Sequence, residues 1–375
     1  MVGISTNLIH NKTVSRDVIP PINISTTYKY SEDPDDLVKV TDSKGSEDYF
    51  LNDTYFYSRV NHPTSELLEK ALSKILDGHV VVYNSGLAAF FAALTYINPK
   101  KLVIGQAYHG CHGITKIFSR LNGLEVLDLK DPGSFDKLQK GDLVHLETPV
   151  NPHGLDFDIS YYAELAHKKG ALLMVDSTFA PPPLQYPFKH GADIIMHSAT
   201  KYFGGHSDLL AGILVVRDKS VQYKLYEDRV YLATNIGNLE STLLYRSLKT
   251  FELRILKQSD NCEQLVKYLN DHRAEFKVLK ELFHGSLQTT KYPDQITKHS
   301  PTFALTLTSE KLAKSLPSKL NYFVHATSLG GAESLIEWRA LSDSSVDPSL
   351  LRVSVGLENI DDLIEDFKNA LLSLE

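Results

Sequence analysis

Apolar residues follow two rhythms along this chain. From Ser65 the run Glu66-Leu-Leu-Glu-Lys-Ala-Leu-Ser-Lys-Ile-Leu repeats them at helical spacing. Short continuous apolar runs follow: Val80-Val-Val-Tyr83, Lys101-Leu-Val-Ile104, Asp142-Leu-Val-His-Leu146, Ala171-Leu-Leu-Met-Val175 and Asp193-Ile-Ile-Met196. Such runs, separated by helix-length spacers, predict strands of a mostly parallel sheet covered by helices. Gly212-Ile-Leu-Val-Val216 offers a final strand. After Gly237 a long helix-like stretch leads into the mixed pattern of a smaller domain. That domain closes on Ile360-Asp-Asp-Leu-Ile-Glu-Asp-Phe-Lys-Asn-Ala-Leu-Leu, an amphipathic helix. The first fifty residues read as polar and irregular, with a solvated acidic loop from Ser31-Glu-Asp-Pro-Asp-Asp36 through Glu47-Asp48.

Two of the apolar runs end in reactive groups. Asp193-Ile-Ile-Met-His-Ser198-Ala-Thr200-Lys201 places one lysine among hydroxyls, just before Gly204-Gly205. Ala171-Leu-Leu-Met-Val-Asp176 ends on a carboxylate. A Schiff-base lysine with a nearby aspartate is what pyridoxal phosphate chemistry needs: the amine holds the cofactor aldehyde, and the carboxylate favours the protonated ring nitrogen. Asn84-Ser85-Gly86 lies between a strand and an alanine-rich helix, so amides at that helix start can face a phosphate, and Gly86 permits close approach.

These motifs extend into a resemblance along most of the chain. Pro20-Pro-Ile-Asn-Ile-Ser-Thr-Thr27, Tyr57-Ser-Arg59-Val-Asn-His-Pro63-Thr64, Ser85-Gly86-Leu87-Ala-Ala, Glu147-Thr-Pro-Val-Asn151-Pro, Val175-Asp176-Ser-Thr-Phe179, the Lys201 motif, Ser328-Leu-Gly-Gly-Ala-Glu333-Ser-Leu and Leu351-Arg352-Val-Ser-Val-Gly356 occur in family order. The chain thus resembles the pyridoxal-phosphate enzymes of cysteine and methionine metabolism, which include cystathionine gamma-synthase and gamma-lyase. The resemblance implies an α/β fold of type I, aspartate aminotransferase-like, with helices on both faces of the sheet. It divides the chain into an N-terminal arm (1–55) used in oligomer contacts, a cofactor-binding domain (56–236) and a smaller α/β domain (237–375).

The same resemblance assigns pyridoxal 5'-phosphate to Tyr57, Arg59, Ser85, Gly86, Leu87, Tyr108, Asn151, Asp176, Ser198, Thr200 and Lys201, with Tyr57 and Arg59 reaching in from a neighbouring subunit. A homo-oligomer, a dimer of dimers with shared sites, follows. Lys201, Tyr108 and Asp176 become the catalytic set, and Asn151, Ser328, Glu333 and Arg352 the substrate contacts, with Arg352 gripping the α-carboxylate. Glu333 resembles a glutamate of the gamma-acting enzymes. That tilts the expected reaction toward γ-elimination or γ-replacement on cystathionine or an activated homoserine. The alternatives are a β-lyase or desulfhydrase on cysteine-type substrates, and a non-catalytic family member.

Departures fall in the substrate half. Phe56 stands where many relatives carry an acid, and Gly113 where many carry arginine; those charges hold the far end of cystathionine. Their loss predicts a preference for leaving groups smaller or less charged than its cysteine half. His62 replaces an asparagine pattern, and Glu337-Trp338-Arg339 a proline-bearing one.

Composition adds exclusions. With 375 residues, 42% hydrophobic, the chain is long enough for two cores. A net charge of -7 and the absence of Lys/Arg runs argue against a nucleic-acid partner. No apolar segment approaches bilayer length and no secretory leader is visible, so no membrane association is expected. Two cysteines, Cys111 and Cys262, suggest a reducing, cytoplasmic compartment. His109, Cys111 and His112 lack a second ligand pair at metal-binding spacing, so no metal is expected.

Overall fold

The computed structural model describes residues 3–10, 17–39 and 55–375. Seven strands form the larger sheet: β1 (His79–Tyr83), β2 (Lys101–Ile104), β3 (Glu125–Asp128), β4 (Leu143–Glu147), β5 (Leu172–Asp176), β6 (Ile194–Ser198) and β7 (Gly212–Val216), in the order β1-β7-β6-β5-β4-β2-β3. All neighbours pair in parallel except β7, which runs antiparallel to both β1 and β6. The final strand of this sheet therefore sits inside it.

Unbroken apolar runs are explained by what the two faces touch. Val80, Val82, Val144, Leu146, Leu173, Val175 and Ile195 enter one core. Their alternating neighbours Val81, Tyr83, Leu143, Met174, Ile194 and Met196 enter another on the opposite face. A strand covered on both sides has no polar face to display. β3 is the exception: three of its four residues are exposed at the sheet edge, so its sequence carries no apolar run.

The second sheet comprises β8 (Leu279–Phe283), β9 (Thr302–Leu307), β10 (Phe323–His325), β11 (Ser334–Trp338) and β12 (Leu350–Ser354), in the order β10-β11-β12-β9-β8. The helices Phe251–Asp271 and Ile360–Leu372 pack on it around Leu265, Phe303, Val353 and Phe367. The long helical stretch after Gly237 is two helices, Asn238–Leu248 and Phe251–Asp271.

One expectation needs correcting. The N-terminal segment is not wholly irregular: residues Ile4–Ile9 form a helix whose Leu8 is buried in the first core. Pro34–Asp36 is an exposed single turn, while Glu47-Asp48 lies outside the described residues. His62, a departure from the family pattern, caps the helix Pro63–Leu76: its Nδ1 accepts from the Ser65 amide at 3.2 Å, and the Ser65 hydroxyl accepts from the His62 amide. Burial pushes this imidazole down to about 4, leaving it neutral for both that acceptor role and its Nε2 contact with the Ile236 carbonyl.

Candidate active site

Parallel strands deliver their C-terminal residues to one edge of the sheet, and the first residues beyond β1 emerge at the same edge. Glu147, Asp176 and Ser198 are the last residues of β4, β5 and β6. Ser85 caps the helix Gly86–Ile97 by accepting from the Ala88 amide at 3.1 Å. A Cβ on Gly86 would lie 2.9 Å from Ser198 Cβ and 3.0 Å from its Oγ, so glycine lets helix start and strand end close together. The result is a concave set of backbone amides and hydroxyls suited to an anion.

Lys201 follows β6 in a turn closed by its own amide donating to Ser198 O and by Gly205 N–H donating to Lys201 O at 2.7 Å. Gly330, at φ +83°, brings the second domain's loop against this backbone; a Cβ there would meet Tyr202 N at 2.8 Å. From that loop Ser328 Oγ accepts from Lys201 Nζ at 2.7 Å. Burial, reinforced by the Arg352 charge, pushes the Lys201 amine down to about 8.

Asp176 and Glu147 are opposed in the β4–β5 register, both buried. Burial raises both carboxyls, and for Glu147 the Asp176 charge adds to the effect. Asp176 accepts from the Thr178 amide at 3.0 Å and its hydroxyl at 2.6 Å, which offset part of its rise. Glu147 accepts from the amides of Tyr108 and Asn151, each at 2.7 Å, and so fixes both residues at the cavity rim.

Arg352 lies on β12 opposite Glu337 on β11. Its guanidinium donates to Glu337 Oε2 at 2.5 Å, Ser328 O at 2.9 Å and Asn151 Oδ1 at 3.1 Å. Arg339 donates to the same Glu337 oxygen at 3.0 Å.

Ser85, Gly86, Leu87, Tyr108, Asn151, Asp176, Ser198, Thr200, Lys201, Ser328 and Arg352 line one cavity of about 300 Å³. Three of the named residues do not, two of them, Tyr57 and Arg59, having been expected at a neighbouring subunit's site. Tyr57 and Arg59 lie outside it, the Arg59 guanidinium 5.3 Å from the Tyr57 ring centroid and donating to Val230 O at 3.5 Å. Glu333 is turned away: its carboxylate accepts from the Ser207 hydroxyl, and Thr327 and Ser328 supply that stretch of wall instead. Thr178, Thr327 and Arg339 also line the cavity and are not among the residues expected from sequence; only Arg339 carried a signal, as a departure. Among the described residues no group of three or more His, Cys, Asp or Glu could hold a metal ion.

The cavity fits pyridoxal phosphate on its own chemistry. A buried amine and a buried carboxylate face it, and neither has a salt-bridge partner among the described residues. Such groups are costly unless a ligand pairs with them. An aldehyde would meet the first, a protonated ring nitrogen the second, and the helix start at Gly86 would suit an anion.

Residues 5–372 match the family described as Cys/Met metabolism PLP-dependent enzyme. The chain belongs to this family. It is a pyridoxal-phosphate-dependent enzyme with the α/β fold of that group. It is 32% identical over 337 residues to a cystathionine beta-lyase of Lactococcus lactis subsp. cremoris (strain MG1363), covering 84% of this chain and 88% of the relative. It is 31% identical over 382 residues to a cystathionine gamma-synthase of Escherichia coli (strain K12), covering 94% and 92%. Among solved structures, metB from Corynebacterium glutamicum superposes with a TM-score of 0.87 at 28% identity, over 100% of this chain and 99% of that one. The relatives place the enzyme in trans-sulfuration chemistry.

Proposed function

We propose that this enzyme eliminates or replaces the γ substituent of a small amino acid, cystathionine or an activated homoserine, at the cavity between the two sheets. One observation carries the reading: Lys201, Asp176 and Arg352, drawn from both domains, line the same cavity. When bound, pyridoxal 5'-phosphate supplies an electron sink for charge developing at the substrate Cα. Arg352 binds the α-carboxylate with its planar pair of donors, while Asn151 and Glu337 hold that guanidinium in orientation. Lys201 Nζ, poised near neutrality and directed by Ser328, takes the proton from Cα and then from Cβ. Tyr108 covers the ring position, its backbone pinned by Glu147. Elimination with one water releases the γ substituent, 2-oxobutanoate and ammonia.

The same reading makes the enzyme at least a dimer, and a dimer of dimers in its full form, with Tyr57 and Arg59 completing a neighbour's phosphate site and residues 1–55 as the joining arm. In support, Val18, Ile19, Ile22, Ile24, Tyr30, Leu37 and Val38 are exposed along that arm, an apolar surface that needs a partner. No helix among the described residues is long and apolar enough to cross a membrane. Both cysteines are buried and free, in keeping with a reducing cytoplasm.

β-Elimination is the second reading, favoured by the likeness to a cystathionine beta-lyase and by Glu333 lying outside the cavity. Incubating the holoenzyme with cystathionine, cysteine and acylated homoserines plus sulfide, and identifying products by mass, separates the two. From cystathionine, 2-oxobutanoate and cysteine mark attack at the γ carbon, and pyruvate and homocysteine attack at the β carbon. No turnover of any of them would end both.

A further inference from the structure

Two guanidinium groups line the cavity, yet one carboxylate oxygen serves both. Glu337 Oε2 accepts from Arg352 at 2.5 Å and from Arg339 at 3.0 Å, while its Oε1 accepts from the Ser342 hydroxyl at 2.6 Å. Arg339 is 3% exposed. Its second contact, to Asp343, is long at 3.5 Å, and its buried Nε has no acceptor among the described residues. A guanidinium taken out of water needs close acceptors for its hydrogens, and this one is short of them. The helix His109–Asn122 lends His109 and Cys111 to the cavity wall but carries no charge at Gly113, where a Cβ would meet nothing within 4 Å.

We infer that Arg339 reads a second acidic group on the substrate's side chain, so that the site prefers amino acids with an anion beyond the reacting carbon. The inference rests on the reading above, in which Arg352 takes the α-carboxylate. With Arg352 on that carboxylate and Glu337 still holding both guanidiniums, the spare donors of Arg339 are left for a second anion a few bonds further along. This runs against the preference for smaller or less charged leaving groups expected from Phe56 and Gly113: the distal charge is read from the turn after β11 rather than from the tyrosine loop.

A matched pair of non-reacting amino acids tests it. L-2-aminoadipate carries a side-chain carboxylate, and L-norleucine is a neutral analogue of similar length. Calorimetric titration of the holoenzyme should show aminoadipate binding at least tenfold tighter. Arg339→Met should bring that ratio close to one, and Arg339→Lys, which keeps a cation, should retain part of it. A wild-type ratio near one would overturn the inference while leaving the amino-acid site standing. So would an Arg339→Met variant that weakens both ligands equally, since Arg339 would then serve the α-carboxylate or the fold. If the methionine variant fails to fold, the lysine variant decides: a ratio reduced from the parent's supports the charge-reading role, and an unchanged ratio overturns it. Binding of neither amino acid would remove the site reading and the inference together.

Discussion

Replacing Glu69 by alanine should cost this enzyme both stability and cofactor. Glu69, on the helix Pro63–Leu76, and Arg229, on Lys219–Leu232, are 5% and 1% exposed. Glu69 Oε1 accepts from Arg229 Nη1 at 2.6 Å and from the Val82 amide at 2.9 Å, and Oε2 accepts from the Tyr226 hydroxyl at 2.7 Å. Removing the carboxylate strands a buried cation and two further donors. Breaking one side of a buried pair costs about 3–5 kcal/mol. With an unfolding entropy of roughly 2.1 cal/mol/K per residue, a chain of 375 residues loses about 0.8 kcal/mol per degree, so the midpoint should fall by about 4–6 °C. Arg229 also donates to Val82 O at 2.8 Å and Val60 O at 3.4 Å, which ties the network to the approach of Ser85-Gly86 and to the segment carrying Tyr57 and Arg59. Cofactor retention through dialysis should therefore drop in parallel. Differential scanning calorimetry of Glu69→Ala, Arg229→Met and the double variant is the assay. The double variant, with no stranded charge, should recover part of the loss. A Glu69→Ala midpoint within a degree of the parent would refute the reasoning.

Three further outcomes follow from the site. Gly86→Ala forces a Cβ to within 2.9 Å of Ser198, an overpacking worth about 1–3 kcal/mol, and should weaken cofactor affinity about tenfold or more by fluorescence titration. In cofactor-free protein the Lys201 amine is depressed from 10.5 to about 8. Its buried charge therefore costs stability fully below pH 8, and that cost fades as the pH rises toward 10.5. Lys201→Met should accordingly stabilise the apoprotein at pH 7 by an amount that shrinks above pH 8, and a constant difference across pH 6–10.5 would contradict it. Mixing Lys201→Ala chains with Arg59→Ala chains should restore activity neither has alone, because one of the two shared sites regains both residues; full activity in a monomer on sedimentation would exclude the shared site.

How much of this was legible along the chain depended on whether neighbouring residues alone determine the chemistry. Strands β1, β2 and β4–β7 showed as apolar runs because both faces of the sheet are covered, whereas β3, exposed at the edge, had no such run to show. Lys201 and Asp176 were readable because Asp176 ends β5 and Lys201 lies in the turn directly after β6, and parallel strands bring their ends to one edge whatever the loops between them do. The substrate wall was less readable. Arg352 owes its place to register with Glu337 across β11 and β12, and Arg339 its reach into the cavity to the turn that follows. Glu333, five residues after Ser328, was drawn to Ser207 by the same loop that aimed Ser328 at Lys201. Local sequence determined which groups could do the chemistry, because strand ends and helix starts are local events. Which arginines share a carboxylate depended on strand register within the second sheet, and which residues of one loop face the cavity depended on contacts between residues more than a hundred apart in the chain, such as Lys201 with Ser328 and Asn151 with Arg352; only the tertiary structure decided both.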